Sequence, residues 1–138
     1  MDPTIFEFFK RFGKSTSSNI ELLNYAKQLH LKPFKIVMRD EIKEVKADDY
    51  VITNLHESHE PGIHWNCFNK DKFFDSYGLP PVKEIKEVLK SGIYSDFQIQ
   101  EFNKTFCGQL SLYVLFMLFK GYDFEDIVLY LYNSKEKF

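Results

Sequence analysis

The amino-acid sequence predicts an α+β domain. Segments of helical period lie at both ends of the chain, β-branched and aromatic runs lie between them, and no linker or repeat divides the two. The 138 residues suit one domain, 1–138. A chain of this length buries roughly two-thirds of the surface that its unfolded form exposes, so it needs no staples.

The elements follow in order. Ile5, Phe6, Phe8, Phe9 and Phe12 form the pattern of a short amphipathic helix over residues 4–12 that folds over the core. Gly13-Lys14-Ser15-Thr16-Ser17 is a break, and Ser18 with Glu21 matches a capping box. Ile20, Leu22, Leu23, Ala26 and Leu29 continue at helical spacing until Pro33 stops the helix, so both N-terminal helices lie within residues 1–31. Residues 34–38 and 50–55 read as strands, with Arg39-Asp40-Glu41-Ile42 as a turn or short helix between them. Glu60-Pro61-Gly62 is a turn that leads into a hairpin. One strand covers residues 63–68, Asn69-Lys70-Asp71-Lys72 turns the chain, and Phe73-Phe74 opens the second strand. Asp75-Ser76-Tyr77-Gly78 leaves that strand as a loop. Pro80-Pro81 begins the approach to a helix over residues 82–90 that ends at Gly92. Residues 97–102 are a further strand candidate. Residues 110–119, the most apolar run, lack alternation and read as a buried helix closed by Gly121. A last amphipathic helix covers residues 123–132.

Composition narrows the function classes. Hydrophobic residues are 44% and aromatic residues 17%, with 15 Phe and 8 Tyr, which indicates an aromatic core rather than disorder. A net charge of −2 argues against a nucleic-acid partner held by bulk charge. Two cysteines, Cys67 and Cys107, are a weak disulfide framework. The start, Met1-Asp2-Pro3-Thr4, has no signal-peptide pattern, and the 110–119 run is too short to span a bilayer. The expectation is a soluble, intracellular protein with no membrane partner, in a reducing compartment where a free thiol persists.

Cys107 sits at the predicted N-terminus of the buried helix. Unpaired N–H groups and the positive dipole end there favour a thiolate, the nucleophile of thiol chemistry. A buried structural cysteine is the alternative. His64 precedes Trp65 in a strand-like segment, and Asp75 stands at the end of the partner strand. A hairpin can therefore set a carboxylate beside the imidazole. The His shares the thiol proton at one nitrogen, and the acid holds the proton on the other and fixes the ring. Gln100, seven residues before Cys107, carries an amide donor for an oxyanion, with the Cys107 N–H as a second donor. By chemistry alone Gln98 is as good a candidate.

Gly62-Ile63-His64-Trp65, Asp75-Ser76-Tyr77-Gly78, Gln100 and Cys107-Gly108 occur in the order His, acid, Gln, Cys. This resembles the adenovirus protease (adenain) family and its relatives in Polinton/Maverick elements and virophages, within the wider superfamily of ubiquitin-like-specific proteases. Phe34-Lys35-Ile36-Val37-Met38-Arg39-Asp40-Glu41 and Tyr50-Val51-Ile52-Thr53-Asn54 resemble the segment that leads into the His-Trp motif, so the likeness covers residues 34–120. It implies a papain-like cysteine protease fold, in which a small mixed or antiparallel sheet packs on a central helix with the nucleophile at its N-terminus. It implies a Cys107, His64, Asp75 triad and gives the oxyanion role to Gln100 rather than Gln98. It also implies endopeptidase action on viral or transposon-encoded capsid precursors, in the cytoplasm or nucleus of a host cell or in the virion. A slot lined by Trp65, Tyr77 and Gly108 would suit the small residues that such enzymes cleave beside. The adenovirus enzyme is stimulated by a peptide and by DNA. In this sequence no matching basic surface and no evident thiol for a peptide cofactor stand out, and the chain is shorter after the Cys helix, so a peptide or DNA activator stays an open expectation.

Three other readings were weighed against this one. His56, His59, His64 and Cys67 mimic ligand spacing, but no second Cys/His pair follows, so no metal and no cofactor is expected. His56 and His59 read as a solvated loop before the site, and Cys67 as packed and inert. A peptidase for ubiquitin-like modifiers must grip a folded modifier, and 138 residues leave little surface to spare. A non-catalytic binding module that keeps the fold has no need of all four site residues.

Overall fold

The computed structural model describes residues 1–54, 64–89, 92–102 and 104–138. Helix α1 spans Ile5–Phe12 and α2 spans Asn19–Gln28. Each opens on a capping box, Thr4 with Glu7 and Ser18 with Glu21, so side chains satisfy N–H groups that the first turn leaves over. Gly13, at φ +84°, ends α1 where a side chain would be strained. Helix α2 stops well before Pro33. His30 turns to φ +57°, and Leu31 N–H returns to the Ala26 carbonyl, which closes the helix end without the proline. Leu22, Ala26 and Leu29 are buried, whereas Ile20 and Leu23 lie exposed on the opposite side.

Among the described residues, five strands form one mixed sheet in chain order: β1 Phe34–Val37, β2 Tyr50–Asn54, β3 Trp65–Asn69, β4 Lys72–Phe74 and β5 Ile93–Tyr94. The centre, β2-β3-β4, is antiparallel, and the outer pairs β1-β2 and β4-β5 are parallel. A 3-10 helix at Arg39–Glu44 joins β1 to β2. The expected hairpin forms, with Lys70 at φ +54° in its turn and β3 starting one residue after His64. Helix α3 spans Lys83–Leu89. Leu55, the turn at residues 60–62, Ile63 and Lys90 lie outside the described residues.

The expected strand over residues 97–102 does not form. Both Ile99 N–H and Gln100 N–H donate to the Ser76 carbonyl at 2.9 Å, so the segment is fixed to a turn and not to a neighbouring strand. Strand β5 lies earlier, at Ile93–Tyr94.

The sheet alternates two apolar faces, as period-2 geometry requires. Ile52, Cys67 and Phe74 are register partners on one face and join the larger core. Val51, Phe68 and Phe73 are partners on the other and pack with Val37, Ile42, Ile85 and Leu89. Helix α4, Cys107–Phe119, lies along β3 on the larger core and is buried nearly all round. Helix α5, Phe124–Ser134, and α1 pack against α4. Ile5, Phe8, Phe9 and Phe12 are all buried, so α1 is part of this core. Among the described residues, no helix is long and apolar enough to cross a membrane.

Candidate active site

Two structural units meet at the sheet end where β3 begins. The first is the N-terminus of α4. Phe106, its N-cap, supplies no side-chain hydrogen bond, so the first-turn N–H groups are not capped by that residue. Cys107 opens the helix, buried at 6% exposure. Trp65 ties strand to helix twice. Its N–H donates to Cys107 Sγ at 3.4 Å, and its carbonyl accepts from Ser111 Oγ, one helical turn on, at 3.3 Å. Gly108 permits that approach, because a Cβ there would lie 3.2 Å from both Trp65 Cδ1 and Leu22 Cδ2. The indole Nε1–H donates to the Ser17 carbonyl at 3.0 Å.

The second unit is the Asp75-Ser76-Tyr77-Gly78 turn. The pairing of Cys67 with Phe74, carried further along the hairpin, sets Asn66 opposite Asp75 and His64 opposite Tyr77. The side chains follow that register. Asn66 Nδ2 donates to Asp75 Oδ2 at 3.3 Å, and the Tyr77 ring stacks on the imidazole at 4.1 Å with 8° between planes. His64 Nε2 lies 3.0 Å from the same Asp75 oxygen. A carboxylate only accepts, so the proton of that bond is on Nε2. Asp75 Oδ1 accepts from Tyr77 N–H at 2.8 Å, which completes an Asx turn. Gly78, at φ +78°, has no room for a Cβ, which would meet the Asp96 carbonyl oxygen at 2.7 Å.

His64 and Asp75 are both buried. Burial alone would lower the imidazole pKa. Hydrogen bonding to Asp75 and interaction with the Cys107 thiol outweigh it and push the pKa up to about 9. Since Nε2 is on Asp75, Nδ1 is the nitrogen left for proton exchange with sulfur. It is buried and makes no aligned hydrogen bond among the described residues. Burial also raises the Tyr77 hydroxyl pKa, with electrostatic interaction with Cys107 and Asp75 adding to the effect.

Gln100 is buried and bonded to the turn. Its Oε1 accepts from Ser76 Oγ at 2.7 Å, and its Nε2 donates to the Lys104 carbonyl at 2.7 Å. Gln98 serves instead as a brace, its Nε2 donating to the Gln100 carbonyl at 3.1 Å. Trp65 and Tyr77 face different partners, Ser17 and Gly108 for the first, His64 and Phe102 for the second. Cys67 is buried in the core, and burial raises its thiol pKa well above the usual range. His56, His59, Gly62 and Ile63 lie outside the described residues.

Sequence reasoning placed His64 near Asp75 but gave no role to Ser76 or Asn66. Ser76 was quotable only as part of a motif. Asn66, two residues from His64 on a strand, carried the one available signal, since it shares the imidazole's side of the hairpin. A carboxylate–imidazole pair that interacts with a thiol, at a helix start whose N-cap side chain makes no hydrogen bond, is chemically suited to forming and breaking a thioester. No family model, curated protein or solved structure matches the chain.

Proposed function

We propose that the chain is a cysteine endopeptidase of papain-like fold, of the type found in adenovirus and in Polinton and virophage elements. Its substrates are the polypeptide precursors of viral or transposon capsids. The observation that carries this reading is the placement of the imidazole. His64 Nε2 is held on Asp75 at 3.0 Å, while Trp65, the next residue, donates its N–H to the Cys107 sulfur. The raised pKa of His64 supports it further, because an imidazolium beside a thiol supplies the charge that a nucleophilic thiolate needs.

In the reaction, the Cys107 sulfur attacks the scissile carbonyl and a C–S bond forms. Gln100 Nε2 and the Cys107 N–H stabilise the oxyanion. His64 protonates the leaving amine as the C–N bond breaks. Water, deprotonated by His64, then cleaves the thioester and releases the acid. The test pairs the wild-type chain with Cys107→Ala, purified side by side and incubated with a proteome-derived peptide mixture. New termini are read by mass spectrometry. New termini in the wild-type digest alone are the expected result. Equal cleavage by both preparations, or none by either, would overturn the reading.

A further inference from the structure

We infer that Ser76 is a positioning residue for the oxyanion, acting through Gln100, so that one four-residue turn assembles both halves of the catalytic machinery. The inference rests on the peptidase reading above. Ser76 is fully buried, and its carbonyl and its hydroxyl both reach the segment that carries Gln100. Its carbonyl accepts the Ile99 and Gln100 N–H groups, and its hydroxyl donates to Gln100 Oε1 at 2.7 Å.

The direction of that last bond is determined by chemistry. The Lys104 carbonyl can only accept, so the Gln100 group that lies 2.7 Å from it must be the NH2. Oε1 then faces Ser76, whose hydroxyl must donate. The amide is held at both ends and cannot flip without facing oxygen to oxygen at Lys104. An amide nitrogen carries two hydrogens and the Lys104 carbonyl takes one, and the other is the hydrogen that the peptidase reading assigns to a developing oxyanion. Asp75, the preceding residue, meanwhile holds the imidazole. Adjacent residues thus orient the base and the oxyanion donor, and Gly78 seats the turn against Asp96 and Gln98.

Removing the Ser76 hydroxyl leaves Gln100 Oε1 buried without its donor and the amide held at the Lys104 carbonyl alone, so its plane is less tightly fixed. The loss falls on steps that build an oxyanion and spares those that do not. Two probes separate them. Acylation of Cys107 by p-nitrophenyl acetate forms a tetrahedral oxyanion. The C–S bond forms, the C–O bond breaks, and nitrophenolate leaves carrying the electron pair, followed by release of acetate to water. Alkylation by iodoacetamide displaces iodide at a saturated carbon and forms no oxyanion.

Ser76→Ala is expected to slow acylation by about 10–100-fold, less than the loss of a whole oxyanion donor. Alkylation of Cys107 should stay within about twofold, which also reports that the His64–Cys107 pair is still assembled. Added to Gln100→Ala, the Ser76 change should cost nothing more. The inference is overturned if acylation and alkylation fall together, or if Ser76→Ala costs as much without Gln100 as with it. A wild-type Cys107 that alkylates no faster than a free thiol would instead overturn the peptidase reading, and this inference with it.

Discussion

Cys67 and Cys107 are both buried and both free, yet their surroundings differ in kind. Cys67 lies mid-strand in β3, between register partners Ile52 and Phe74, where burial raises its thiol pKa with the Asp75 charge adding and a Ser111 hydrogen bond opposing. Cys107 opens a helix, accepts the Trp65 N–H and acts on an imidazole that a carboxylate orients. Burial alone does not separate an inert thiol from a candidate nucleophile. The separation comes from what the thiol touches.

The comparison is broken most directly by exchanging the two residues for alanine. Cys107→Ala should abolish peptide cleavage and leave the thermal midpoint nearly unchanged. Cys67→Ala should keep cleavage within about twofold and lose about 1–2 kcal/mol in denaturant unfolding, because it removes a sulfur from the core. The reverse pattern would place the chemistry on the wrong cysteine.

Next in size is the base. His64→Ala should lower cleavage by about 10²–10⁴-fold, measured as kcat/KM on the best peptide from the mixture. Asp75→Asn sharpens the point at smaller cost, about 10–100-fold. The amide keeps an acceptor for the imidazole N–H but loses the charge that holds the imidazolium. The His64 pKa, followed by proton resonance, should then fall below about 9. An Asp75→Asn loss as large as that of His64→Ala would mean that the acid does more than orient.

The smallest effect is on stability. The His64 pKa is raised from 6.5 to about 9 on folding. Its contribution is therefore complete below the unfolded value and is lost as pH rises through the folded one. Urea midpoints should fall between about pH 6 and about pH 9.5 in the wild type, reflecting a loss of a few kcal/mol of unfolding free energy at most, and fall less in Asp75→Asn. A midpoint that rises over the same window would contradict the arrangement.

Much of this was legible in the sequence because it is local. The Ser18–Glu21 capping box, the 65–74 hairpin and the buried helix after Cys107 each follow from neighbours along the chain. The His64–Asp75 contact follows from the hairpin, since register carries a side chain on one strand to its partner on the other. The segment at residues 97–102 differs from the expectation because its apolar and aromatic residues suit a strand, whereas the Ile99 and Gln100 N–H groups go to Ser76, a partner more than twenty positions away. Strand β5 has only two residues, too few for any pattern. Ser76 and Asn66 are ordinary polar types whose roles exist only once the turn is folded. The end of α2 depends on the backbone angle of His30, which favours no particular sequence signal.

The central claim is that Cys107 and His64 form a reactive pair, and limiting iodoacetamide tests it most directly. Both thiols are followed across pH by intact mass and peptide mapping, in wild type and in His64→Ala. Cys107 should be alkylated at least about tenfold faster than Cys67 near pH 7, and His64→Ala should remove the advantage. Equal reactivity of the two thiols, or a Cys107 rate unchanged by the loss of His64, would contradict it.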